Sequence, residues 1–338
     1  MTEKDPLGGA AVALGLDRRG GTARGRVDGR FIEIETPVVP VPGSVAPVVL
    51  TGRVEPALDL GLWVSAPRAA GPPPGRQAIR LRTGIALLDE GLAVAGDEEE
   101  RVGALLLPIV GELAVCFDPE GATEVVLTDA SVRCSRDGAA AEMLASSARA
   151  IAALLGAIDH SRASVPVAVD LRAHAVAWRE LASQRNLEST DTPLRLWGRI
   201  DGVEVSAEAV RVSRGRHRID VVARLVEPLR VALSVRPRGL LDGEGLTLGD
   251  SALDGSFVAA AADRAALGKL LDPDVRRRLL DLRDLAPEIA DDGVTLRTRG
   301  LPSEPRQVAV LLSAAHALVQ RLRENARALR AARVGPYR

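Results

Sequence analysis

The sequence predicts an α+β protein made of two tandem copies of one unit, each an antiparallel β-meander with helices packed on one face. Three observations carry this. Gly25-Arg26-Val27-Asp28-Gly29 returns as Gly198-Arg199-Ile200-Asp201-Gly202. The stretch from Gly84 to Pro108 lies without a gap on Gly249 to Pro273, with Leu88-Asp89 on Leu253-Asp254 and Leu92 on Phe257. Each half also closes with an Ala/Leu-rich segment of helical period, about 139–157 and about 305–333. Blocks that keep their order while their spacing drifts are what duplication followed by loop insertions leaves behind. The copies are placed at 1–160, the degenerate one, and 168–335, the better preserved one, joined by residues 159–169.

The second copy shows the elements most clearly. Asp170 is a candidate N-cap for a helix over about 171–185, with Leu171, Ala175, Trp178 and Leu181 on one face. Its counterpart in the first copy is shorter, about 7–14. Strands are expected at about 194–199, 203–207, 217–225 and 229–236. Asp-Gly between the first two is a tight-turn signal. His217-Arg218-Ile219-Asp220-Val221-Val222 alternates as a half-buried antiparallel strand does. A Gly-rich loop, Pro237 to Gly249, faces a Pro-rich partner, Pro67 to Gly84, which contains Gly71-Pro72-Pro73-Pro74-Gly75. A short strand near Phe257 follows. A helix from Asp263 then breaks at Asp272-Pro273, where Pro suits a new first helical position. Asp129-Ala130-Ser131-Val132 and Asp291-Asp292-Gly293-Val294 mark a late hairpin in each copy, with strands near 287–290 and 293–299 in the second. Arg53-Val54-Glu55-Pro56 and Arg224-Leu225-Val226-Glu227-Pro228 also match, but aligning the apolar phase needs a one-residue slip relative to Glu-Pro.

Composition narrows the functions. With 46% apolar and 26% charged residues in 338, a packed core is expected. Of the 44 basic residues all but Lys4 and Lys269 are arginine, a bias of GC-rich bacterial genomes. The net charge of −1 and the scarcity of aromatics argue against nucleic-acid binding, which draws on a basic surplus and stacking platforms. Cys116 and Cys134 sit in apolar contexts and read as reduced buried thiols. The opening Met1-Thr2-Glu3-Lys4-Asp5-Pro6 is no signal peptide, and no apolar run reaches the ~20 residues of a membrane span. A cytoplasmic protein without a transmembrane segment is expected.

Gly249-Asp250-Ser251-Ala252-Leu253-Asp254-Gly255-Ser256-Phe257 resembles the Gly-Asp-x-x-Phe-Asp-x-x-Phe stretch of a family of bacterial proteins with no assigned activity. In that family a small-residue helix and a Leu-Leu-x-Pro step follow, here Leu270-Leu271-Asp272-Pro273. Ala177-Trp178-Arg179-Glu180-Leu181-Ala182, and then the Asp-Gly strand entry, are similar too. The resemblance covers most of the second copy and implies no activity. The first copy departs from it: Ile85 replaces Asp250 and Leu92 replaces Phe257.

No catalytic constellation emerges. Gly249-Asp250-Ser251 resembles the nucleophile start of GDSL-type esterases, but that chemistry needs a positioned base. No Asp-x-x-His follows, and the one later histidine, His316, lies on the closing helix. Gly243-x-Gly245-x-x-x-Gly249 precedes a strand rather than a helix, unlike a dinucleotide loop. Gly268-Lys269-Leu270 is no phosphate loop. His160, His174, His217 and His316 lack the i, i+3 or i, i+4 partners of a helical metal site. Asp291-Asp292 reads as a hairpin tip, and Asp97-Glu98-Glu99-Glu100 as a helix N-terminus. No cofactor and no metal are expected.

What remains is a non-catalytic binding or scaffold protein with a protein partner. Its candidate residues are Asp250, Asp254 and Phe257 in the second copy, with Arg323, Arg327 and Arg330 on the closing helix. Two alternatives stand beside it. One is a hydrolase or transferase using Asp250 and Asp254. The other is a membrane-surface or polyanion adaptor using the arginines of the last helix, which also carries Arg321 and Arg333 with Glu324 as its one acid. The oligomeric state is left open.

Overall fold

The computed structural model describes residues 5–36, 47–66, 76–80, 82–117, 122–137, 140–213, 216–239, 242, 245–262 and 264–333. The chain divides into two units, Met1–Ala168 and Val169–Arg338. Unit 1 runs α1 (Pro6–Leu14), β1 (Asp17–Arg19), β2 (Thr22–Val27), β3 (Arg30–Glu35), β4 (Pro47–Arg53), β5 (Trp63–Ala66) and β6 (Gln77–Ile79). It continues through α2 (Ala86–Gly91), β7 (Ala93–Gly96), α3 (Glu99–Leu106), α4 (Val110–Cys116), β8 (Ala122–Thr128), β9 (Ser131–Asp137) and α5 (Ala141–Ser161). Unit 2 runs α6 (Arg172–Arg185), β10 (Glu188–Asp191), β11 (Leu194–Ile200), β12 (Val203–Ser213), β13 (Arg216–Leu225) and β14 (Ser234–Pro237). Then come α7 (Ser251–Ser256), β15 (Phe257–Ala260), α8 (Arg264–Leu270), α9 (Pro273–Asp281), β16 (Glu288–Ala290), β17 (Gly293–Arg297) and α10 (Gln307–Arg333).

Each unit is an antiparallel sheet with helices, so the fold is α+β with two similar halves. Among the described residues the strand orders are β1-β2-β3-β4-β9-β8-β5-β7-β6 and β10-β11-β12-β13-β17-β16-β14-β15. These are the same order, with β6 added at one edge. The registers agree as well. Gly25 faces Ile32 as Gly198 faces Val205, and Gly52 faces Val132 as Ala223 faces Val294. Trp63 lies between Ala95 and Thr128 as Ser234 lies between Ala260 and Ala290.

The repeated Gly-Arg-x-Asp-Gly pentapeptide has a local explanation at both ends. Asp28-Gly29 and Asp201-Gly202 take left-handed φ of 48° and 78°, and of 48° and 74°, as a two-residue hairpin turn requires. A Cβ on Gly25 would come within 2.9 Å of Leu16 Cδ2, and one on Gly198 within 2.6 Å of Leu187 Cδ2. Those leucines follow the first helix of each unit. Gly15 and Asn186 end these helices in left-handed conformation, and the next amide bonds back to the carbonyl of Ala11 or Ala182.

One sheet face carries the core. Ile32, Ile34 and Leu50 bury beside Ile151 and Leu155 of α5 in unit 1. In unit 2, Val205, Ala207, Ile219 and Val221 bury on the face covered by α10 through Leu311, Leu312, Leu318 and Val319. Each Leu, Ile or Val so buried contributes about 1.5–3 kcal/mol.

The structure departs from sequence expectation in five places. After the fourth strand the order is not consecutive, because the late hairpin slots between the fourth and fifth strands. Residues 229–233 are not a strand, since Arg230 and Ala232 have φ of 61° and 51° and interrupt the extended run until Ser234. Asp170 does not cap α6; its carboxylate meets Nδ1 of buried His217 at 2.7 Å. The short edge strands β1 and β10 and the helix α7 have no clear sequence signal. Finally, Ala141–Ser164 is long and apolar enough to cross a membrane, but half of its most apolar window is buried inside unit 1. The Pro-rich 67–75 loop lies outside the described residues.

A candidate binding groove in unit 2

Three of the residues singled out in the sequence hold the fold together locally. Asp250 caps α7, its carboxylate accepting the amides of Ala252 and Leu253 at 3.0 and 3.2 Å. Asp254 accepts the Leu248 amide at 2.7 Å, as Asp89 accepts that of Thr83 at 2.6 Å in unit 1. The Thr83 amide and hydroxyl hold the Asp89 carboxyl below its ordinary range. Phe257 is 3% exposed in β15 and packs inward, so its ring belongs to the core rather than to an open surface.

The histidines are scattered. His160 and His174 bond the carbonyls of Gly156 and Pro302, His217 meets Asp170, and His316 bonds the Ile200 carbonyl. Among the described residues no group of three or more His, Cys, Asp and Glu could hold a metal ion.

Both thiols are buried and free. Burial, with Cys134 adjacent, pushes Cys116 up to about 12, and burial raises Cys134 as well. A thiol reacts as thiolate. We therefore expect neither to react with Ellman's reagent at pH 8 in the native protein and both to react once it is unfolded; rapid native labelling would contradict this burial.

Arg323, Arg327 and Arg330 do come together. Their i, i+4, i+7 spacing sets them on one stripe of α10. They border two adjoining hollows of about 440 and 320 Å³ beside the Glu227–Val231 loop. The floor is apolar: Leu229, Leu270 and Ala326 are buried there. Arg230 stands on the rim of the larger hollow with Arg330, and Glu227 is the acid the two hollows share. Sequence reading missed Arg230, because its position depends on the left-handed turn of the loop. Among the described residues none of these four arginines forms an ion pair, whereas neighbouring Arg321 is engaged by Asp272 at 2.7 Å and Glu324 at 3.2 Å.

A wider hollow, about 690 Å³, lies over the open sheet face near Trp197. Its charges neutralise one another: Arg199 meets Glu204 at 2.8 Å and Arg195 meets Glu208 at 3.9 Å while covering the Trp197 ring. In the α10 groove, among the described residues, the four arginines have no carboxylate partner, and Arg330 meets only the Pro228 carbonyl at 3.4 Å.

No family model matches the chain, and no curated protein matches it. Among solved structures, the mycobacterial trehalose monomycolate transport factor A, TtfA, is similar over 46% of this chain and 94% of its own, at 11% identity and a TM-score of 0.31. A superposition this loose carries no argument about the present chain.

Proposed function

We propose that the protein is a non-catalytic binding protein of the bacterial cytoplasm that takes an acidic segment of a protein partner into the α10 groove. The observation that carries this is the convergence of four arginines without carboxylate partners on an apolar floor. Stability alone does not account for them. Arg323 with Arg327 and Arg327 with Arg330 are like-charge neighbours, each costing a helix ~0.2–0.5 kcal/mol. Arg323 also precedes Arg333, the last described residue of α10, by ten residues, about 15 Å, beyond the reach of a dipole at that point, although Arg330 lies within its last described turn.

The hydrolase or transferase reading has less behind it, since Oδ1 of Asp250 caps α7 and Oδ1 of Asp254 holds the Leu248 amide, a structural use of each carboxylate. A membrane surface uses the same arginines, but the apolar residues here are recessed, which favours a protruding segment over a flat sheet; Glu227 opposes an anionic occupant of either kind. Free buried thiols support the cytoplasmic placement, and the Arg-rich composition supports the bacterial origin. Membership of the Gly-Asp-x-x-Phe-Asp-x-x-Phe family is likewise proposed, and adds no activity.

The test is quantitative affinity purification with the wild type and with Arg323→Gln/Arg327→Gln/Arg330→Gln, followed by titration of the recovered, purified partner. We expect the triple variant to weaken binding by about tenfold or more, with a loss of salt dependence. Equal affinity of the two proteins would exclude this groove.

A further inference from the structure

The larger hollow has a counterpart in unit 1 that is already filled. The gapless match that lays Gly84 on Gly249 places Arg101 at Ala266, and the registers of β7 and β15 agree with it. Leu58 and Leu229 both donate their amides to the hairpin carbonyl of Asp129 or Asp291, so Asp59 stands where unit 2 has Arg230; both are left-handed, with φ of 59° and 61°. In unit 1 Arg101 is 3% exposed and its side chain crosses this space. Its Nε donates to the Pro166 carbonyl at 2.8 Å and its Nη1 to the Asp59 carbonyl at 3.0 Å. In unit 2 Ala266 has no side chain to cross it, and the hollow of about 440 Å³ remains.

We propose that the acidic partner anchors here by one apolar side chain, inserted beside Ala266 in the place that Arg101 takes in unit 1. This rests on the reading of the groove as a protein-binding site. The occupant is apolar because the side chains of Leu229, Val231, Ala266, Leu270, Ala326 and Leu329 offer a buried polar group no partner; it would be left with backbone atoms and the charges of Glu227, Arg230 and Arg330, and burying one unpaired is costly. A cationic side chain that copied Arg101 would meet Arg230 and Arg330 at the rim. Carboxylates on either side of an apolar anchor would meet those two and continue along Arg327 and Arg323. Full burial of one Leu or Phe side chain corresponds to about ten- to a hundredfold in affinity.

The experiment is panning of a random dodecapeptide phage library on the full chain, with polarisation titration of the enriched peptides. The variants are Ala266→Met, which fills the hollow, Leu329→Gln, which removes an apolar wall from a partly exposed position, and the triple Arg→Gln protein. Circular dichroism confirms that each is folded. Expected are peptides with an apolar residue between acids, weakened tenfold or more by alanine at that residue, by Ala266→Met and by Leu329→Gln. Acidic peptides that need no apolar residue, or that bind both hollow variants unchanged, would overturn the anchor and leave the arginine reading standing. If no acidic peptide is enriched, or the enriched peptides ignore the triple variant, both fall. Phosphatidylserine vesicles that bind the wild type and not the triple variant, in the absence of peptide binding, would overturn both in favour of a membrane.

Discussion

Gly293→Ala is expected to destabilise unit 2 by at least about 3 kcal/mol, because the clash is between backbones. Gly293 opens β17 opposite Arg224 of the long strand β13. A Cβ there would overlap the Ala223 carbonyl oxygen and come within 3.0 Å of the Arg224 Cα. Neither atom belongs to a flexible side chain, and β13 is bonded on both sides, to β12 and β17, so it has no room to yield. Unit 1 supplies the control. Ser131 holds the equivalent register position opposite Arg53, so Ser131→Gly should move stability by less than about 1 kcal/mol. Urea denaturation of both variants decides the matter. A Gly293→Ala midpoint close to wild type would mean that the two strands are further apart than described.

Asp291→Ala should cost about 3 kcal/mol, and Asp129→Ala a similar amount in unit 1, since hydrogen bonds to a charged group are each worth ~1.5–3 kcal/mol and are not fully additive. Asp291 accepts the amides of Val231, Ala232 and Leu233 at 3.3, 2.9 and 2.7 Å. Asp129 accepts those of Leu60, Gly61 and Leu62 at 3.0, 2.9 and 3.0 Å. In both loops the residues with left-handed φ, Asp59 and Gly61 or Arg230 and Ala232, turn three successive amides toward one carboxylate. Removing it leaves donors unsatisfied and frees the loop that carries Arg230. Asp291→Asn keeps the shape and one acceptor oxygen, so about half the loss should return. Thermal unfolding, read together with the salt dependence of partner binding, checks both consequences. If Asp291→Ala melted like the wild type, the loop would owe its shape to something else.

These two sites show where sequence reading reaches and where it stops. The Asp-Gly turns, the Asp272-Pro273 helix start and the acidic opening of α3 were legible, because cap and turn chemistry acts within a few residues. The stripe of Arg323, Arg327 and Arg330 was legible for the same reason, since helical period alone places it on one face. Asp250 and Asp254 looked like site residues, yet local amides claim both. Phe257 looked like a contact residue, yet the strand's alternation turns it into the core. Asp170 carried a good capping signal, but His217, from a distant strand, took its carboxylate.

The sequence by itself determined the duplication, the α+β class, the apolar stripes and the cationic stripe, all of which follow from repetition or from periods of two and 3.6 residues. Only the tertiary structure decided that the late hairpin enters the sheet beside the fourth strand, that Asp291 folds the Glu227–Val231 loop, and that Arg230, Ala266 and Arg330 border one hollow. Those outcomes depend on hydrogen bonds and packing between segments dozens of residues apart in the chain. No local period records which distant amide a carboxylate will accept, nor that an alanine stands where the other copy buries an arginine.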